Sequence, residues 1–140
     1  YRRLEDLASG FAIATAARSA GHDVDAKAVF AAAEAGESWA EGIVAAAVNH
    51  LALALPGLQA LLDPQVMVIG GGVGLATGFL PRLGAALSRF PSPLRPTLAP
   101  ALLGADAGLL GAADLLRRQL PLENPEADVI AARDAVLPTA

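Results

Sequence analysis

Apolar positions recur at helical spacing along most of the chain. Leu4, Leu7, Ala8, Phe11, Ile13 and Ala14 keep mostly to one face, and Gly21 follows as a stop, so the pattern predicts one helix over residues 4–20. Asp25 is placed to cap a second helix over 26–35, closed by Gly36. Ser38 and Glu41 have the spacing of a capping box and open a long helix through Ile43, Ala47, Leu51 and Leu55. Pro56-Gly57 should kink or break that helix, with a last turn to about Leu62. Asp63-Pro64 signals a turn. The run from Gln65 to Ile69 is short and apolar throughout, which predicts a strand central to a sheet covered on both faces. Gly70-Gly71-Gly72 ends it. A helix over 79–90, an extended stretch around Pro91, Pro93 and Pro96, and a weaker strand over 97–103 follow, with Pro100 favouring a sheet edge. A helix over 105–120 stops at Pro121; beyond it the residues are acidic, with one more short helix expected over 125–134.

Composition narrows the picture. Hydrophobic residues make up 54% of the 140 positions, yet there are only one Trp, one Tyr and four Phe, so the core must be built from aliphatic side chains between helices. The net charge is −4 and the basic residues do not cluster, which leaves no electrostatic footprint for nucleic acid. Cysteine is absent, which excludes disulfides and thiolate metal sites and is compatible with a cytoplasmic location. No charged residue occurs from 42 to 62, a length that could span a bilayer, but Asn49, His50, Pro56 and Gln59 interrupt it. It reads as a buried helix of a soluble protein, with no membrane partner.

The sharpest chemical feature is the strand that runs into Gly70-Gly71-Gly72. Glycines there let a backbone approach phosphate or nucleoside closely, or serve a tight strand-to-helix turn that holds no ligand. A dinucleotide fingerprint is a poor match, because no Asp or Glu lies between Pro64 and Ala105 to take the ribose. A P-loop is excluded, since the single lysine, Lys27, is far from the glycines in sequence. His50 on the apolar long helix reads as a packed core residue, and Asp23 and Asp25 as a turn and a cap. No nucleophile elbow or converging metal-ligand set is visible.

Three segments acquire meaning together. Leu4-Glu5-Asp6-Leu7-Ala8-Ser9-Gly10, the run Leu62-Asp63-Pro64 through Ile69-Gly70-Gly71-Gly72-Val73, and Ala101-Leu102-Leu103-Gly104-Ala105-Asp106-Ala107-Gly108-Leu109-Leu110-Gly111-Ala112-Ala113 resemble, in order and spacing, three motifs of the ROK family of repressors and sugar kinases. The resemblance implies an α/β, helix-rich C-terminal lobe of an actin-like ATPase (ribonuclease H-like) fold. It assigns residues 1–120 to that lobe and leaves 121–140 as an acidic tail. By the same resemblance Glu5 contacts the sugar, while Gly70, Gly71 and Gly72 lie against the nucleotide. The implied activity is ATP-dependent phosphorylation, with Mg, of a hexose or N-acetylhexosamine, as in glucokinase-like or N-acetylhexosamine kinase-like enzymes. The catalytic Asp and phosphate loops of the family have no match here, so the chain, which begins with Tyr, reads as a fragment. It is expected to be inactive alone and to need a missing N-terminal lobe. The alternative is the sugar-effector domain of a ROK repressor, with DNA bound by a separate helix-turn-helix. Arg3 stands where the last Cys of the family's zinc motif falls, so no zinc is expected. Apolar helix faces left by the missing lobe suggest a homo-oligomer.

Overall fold

A computed structural model describes residues 3–119. It divides into two compact units, residues 1–104 and residues 105–140. The first begins with α1 (Glu5–Ala8) and α2 (Gly10–Ser19). These are two helices where the apolar pattern predicts one. The break lies at Ser9, whose extended backbone (φ −83°, ψ 165°) lets its hydroxyl accept a hydrogen bond from the Ala12 amide at 3.1 Å. A side-chain oxygen that satisfies a free amide at a new helix start offsets the interrupted ladder. The rotation at Ser9 also moves Phe11 to the surface, at 80% exposure, while Ala8, Ile13 and Ala17 enter the core.

α3 (Ala26–Glu34) starts as expected, with the Asp25 carboxylate accepting from the Ala28 amide at 2.8 Å. Gly36, at φ +83°, follows the helix. α4 (Ser38–Leu62) differs from expectation in two ways. The Ser38–Glu41 capping box does not form, because Glu37 is the cap residue and the Glu41 carboxylate is taken by Arg82 of a distant helix. Nor does Pro56 end the helix; α4 continues through it to Leu62, with the proline ring buried. A proline inside a helix costs about 3 kcal/mol, which burial of apolar surface along α4 must offset. At its end Asp63 adopts the left-handed conformation (φ 42°), and its carboxylate accepts from the Gln59 side-chain amide at 3.0 Å.

β1 (Met67–Ile69) runs parallel to β2 (Leu98–Pro100), with Met67 opposite Leu98 and Ile69 opposite Pro100. Both strands are shorter than the apolar runs that predict them. The amide of Met67 donates to Thr97 and that of Ala101 donates to Ile69, each at 2.8 Å. Strand alternation then turns the position of Pro100's missing N–H away from β1, which is why an edge strand tolerates it. Among the described residues β1 pairs with β2 alone, and Val66 and Val68 stay exposed, so these residues do not supply the expected two-sided cover. Between the strands lie α5 (Gly71–Gly74), α6 (Phe79–Leu87) and a 3-10 turn, Ser92–Leu94, where an extended stretch is expected.

The core centres on α4. Ala40, Val44, Ala47, Val48, Ala52 and Leu55 form its buried seam, against which α1, α2, α3 and α6 pack. α4 is long and apolar enough by length and composition to cross a membrane, and in this structure those residues are its contribution to the core. Phe79 of α6 meets Phe30 of α3 edge to face, with ring centroids 6.0 Å apart. Arg82 joins α6 to α4 through two hydrogen bonds to Glu41, at 2.5 and 2.8 Å.

A 3-10 turn, Gly104–Asp106, precedes α7 (Ala107–Gln119) of the second unit, where Asp114 pairs with Arg117 and Arg118. The helix expected over 125–134 and the acidic tail lie outside the described residues.

Two measurements test this packing. Phe79 is 1% exposed, so Phe79→Ala should destabilise the protein by about 3–5 kcal/mol, read as a lower urea midpoint. The hydrogen bonds from Arg82 hold the Glu41 carboxyl below its ordinary range, against the opposing effect of partial burial. A depressed folded-state pKa gives stability that is present above the unfolded value, about 4.3, and is lost as pH falls through the folded value. Glu41→Gln should therefore lower stability at neutral pH and narrow the gap to the unsubstituted protein in acid.

Candidate functional site

The turn after β1 is built from glycines that answer to different constraints. A Cβ on Gly70 would lie 3.0 Å from the Ala101 Cβ, and one on Gly74 only 2.7 Å from Ile69 Cγ2. Those two positions are therefore small because β2 and β1 crowd them. Gly71 sits at φ +75°, in the left-handed region that other residues enter at a cost of roughly 1–2 kcal/mol. Gly72 has neither reason: its φ is not positive, and a Cβ there would meet nothing within 4 Å.

Gly72 lines a cleft of ≈ 550 Å³ between α3 and the α5 segment. Val73, Leu75, Ala76 and Thr77 continue its glycine-side wall. The facing wall is one stripe of α3, residues 27, 30, 31 and 34, at the spacing of a single helix face. The walls converge at Gly10, where a Cβ would touch Ala26 at 3.7 Å and Val73 at 3.8 Å. The lining is mostly apolar, with Lys27 and Glu34 its two charged residues. Gly70 and Gly71 are outside this lining, so of the expected trio only Gly72 faces the cleft.

Glu5 lies elsewhere. It is the exposed first residue of α1 and lines a separate groove of ≈ 470 Å³ with Asp6, Ser9 and Phe11 among others. Arg3 donates to Asp6, through its amide at 2.9 Å and its guanidinium at 3.2 Å. The groove and the cleft share no lining residue, although in sequence Gly10 of the cleft lies between Ser9 and Phe11 of the groove.

The other candidates have structural places. Asp25 caps α3, and Asp23 accepts from Arg18 Nε at 3.1 Å, so the two carboxylates have separate tasks. His50 is half-buried beside a third hollow of ≈ 310 Å³. Among the described residues no three His, Cys, Asp or Glu side chains converge as a metal site. The α3 wall was missed from sequence, although a signal existed: the single lysine begins a stripe at 27, 30, 31 and 34 that mixes charge with apolar side chains.

The ROK family model matches residues 3–119 of the 140. The chain belongs to the ROK family. It is 56% identical over 115 residues to the bifunctional enzyme NanE/NanK of Brucella melitensis, covering 82% of this chain and 22% of that protein. It is 40% identical over 110 residues to the N-acetylmannosamine kinase of Salmonella typhi, covering 79% of this chain and 38% of the relative. Among solved structures it superposes on the ROK hexokinase from Thermus thermophilus with a TM-score of 0.66 and 38% identity, covering 79% of this chain and 38% of that one. The chain thus spans between a fifth and two fifths of the length of these relatives. The fold is a helix-rich α/β portion of the actin-like ATPase architecture.

Three of the turn's glycines give a graded test. Gly74→Ala should destabilise the protein by about 1–3 kcal/mol through overpacking against Ile69, and Gly71→Ala by about 1–2 kcal/mol through backbone strain. Gly72→Ala should leave the denaturant midpoint unchanged or slightly raised, since alanine is the better helix former.

Proposed function

We propose that this chain is the nucleotide- and sugar-binding C-terminal part of an ATP-dependent ROK sugar kinase. Residues 1–120 belong to its C-terminal lobe, and N-acetylmannosamine is its first candidate substrate. The observation that carries the reading is Gly72, a glycine that neither packing nor backbone conformation requires and that faces an apolar cleft. Close approach of a ligand to its backbone supplies the missing reason. The choice of sugar follows the names of the relatives, two of which are N-acetylmannosamine kinase and NanE/NanK.

In this reading the cleft takes the nucleoside of ATP between α3 and the α5 segment, with Gly70–Gly71–Gly72 forming the turn that seats it. Glu5, with no hydrogen bond to its side chain among the described residues, accepts from sugar hydroxyls in the adjoining groove. Gly10 of the cleft is bonded to Ser9 and Phe11 of the groove, so one stretch of chain contributes to both sites. Phosphoryl transfer depends chiefly on such positioning and on charge stabilisation. The carboxylate that deprotonates the attacking hydroxyl is assigned to sequence outside this chain, as in the resemblance. Magnesium would accompany the phosphates, as the resemblance implies.

The test is a chimera in which this chain replaces the matching segment of the Brucella enzyme. The chimera should phosphorylate N-acetylmannosamine with MgATP, and the isolated chain should not. Glu5→Gln in the chimera should lower kcat/KM by about 10–100-fold, the loss expected for a hydrogen bond to a charged group. Sugar phosphorylation by the isolated chain, or an unchanged kcat/KM in Glu5→Gln, would overturn the respective assignment.

A further inference from the structure

The geometry points to Lys27 as the residue that makes the cleft prefer a phosphorylated nucleoside and fixes its direction, phosphates at the Lys27 end and base towards Glu34. This rests on the nucleotide reading above and adds to it a residue and an orientation.

Lys27 differs from every other described basic side chain. Arg3, Arg18, Arg82, Arg117 and Arg118 are paired with carboxylates, while Arg89 donates to Asn49 and Arg95 to the Phe90 carbonyl. Among the described residues Lys27 has no such partner, and it is the one cation lining the cleft. An unpaired cation on the wall of a mostly apolar cleft is complementary to a ligand with an apolar body and an anionic end.

The direction follows from α3. Residues 27 and 34 are seven positions apart on one face, which at 1.5 Å per residue separates their backbones by about 10 Å along the wall. Phosphates at the Glu34 end would meet a like charge with no cation in the lining, whereas at the Lys27 end the ammonium group faces them beside the Asp25 carboxylate that caps α3. The Lys27 end is also the end where Ala26, Gly10 and Val73 converge, so the glycine turn reaches α3 there. The apolar stretch between, with Phe30 and Ala31 facing Leu75 and Ala76, is left for the base.

Titration of the chain with ADP and with adenosine, followed by NMR shifts at Gly72 and Thr77, separates the possibilities. Lys27→Ala should weaken ADP about 5–10-fold, a modest loss because Lys27 is exposed, and leave adenosine unchanged. Lys27→Arg should keep most of the ADP affinity. Equal effects of Lys27→Ala on both ligands, or none on ADP, would overturn the role of Lys27 while leaving the nucleotide cleft standing. Absence of binding by either ligand to the unsubstituted chain would overturn the nucleotide reading, and this inference with it.

Discussion

Everything in the first unit hangs on how closely other helices can approach α4. Its buried seam is mostly small, with Ala40, Ala47 and Ala52 interleaved with Val44 and Val48, so α3 and α6 can lie against it at short range. With few aromatic residues available, Phe79 and Phe30 fill the space where α3 and α6 meet beside it. Interiors packed to this density transmit small displacements. The position of α3 relative to the glycine turn, and with it the width of the cleft, is therefore set by α4. The Glu41–Arg82 pair holds α6 to the same helix, and α6 follows directly on the cleft wall that ends at Thr77.

Local chemistry was legible in the sequence where a residue's nearest neighbours decide its role. Asp25 caps α3, and Pro100 lies on an edge, because a carboxylate before a helix and a missing N–H have few other outcomes. Reading failed where distant partners intervened. Glu41 has the spacing for a capping box but finds a guanidinium on α6. Of the kink or break expected at Pro56, the break does not occur, and its ring is buried within α4. Phe11 fits an apolar stripe only if residues 4–20 are one helix, and the cap at Ser9 rotates it outward. The ROK motifs gave the fold because they are long-range information compressed into order and spacing. They did not give the cleft wall on α3, which belongs to none of them.

The glycine turn shows why a motif needs its surroundings before it becomes a site. Read as letters, Gly70, Gly71 and Gly72 are equivalent. In space one is crowded by Ala101, one needs a left-handed backbone, and the third is open beside the cleft. Glu5 is similar: its position at the start of α1 would suit a helix-dipole carboxylate equally well. What sets it in a candidate binding context is the groove it lines.

The only tryptophan of the chain, Trp39, stacks on His22 with ring centroids 3.7 Å apart and planes within 9°. One ring follows α2 and the other opens α4, so the stack exists only while the α2–α3 segment is docked on the long helix. Imidazole in face contact quenches indole emission. The indole fluorescence of this protein therefore comes from one place and reports, without any attached label, whether that junction is closed.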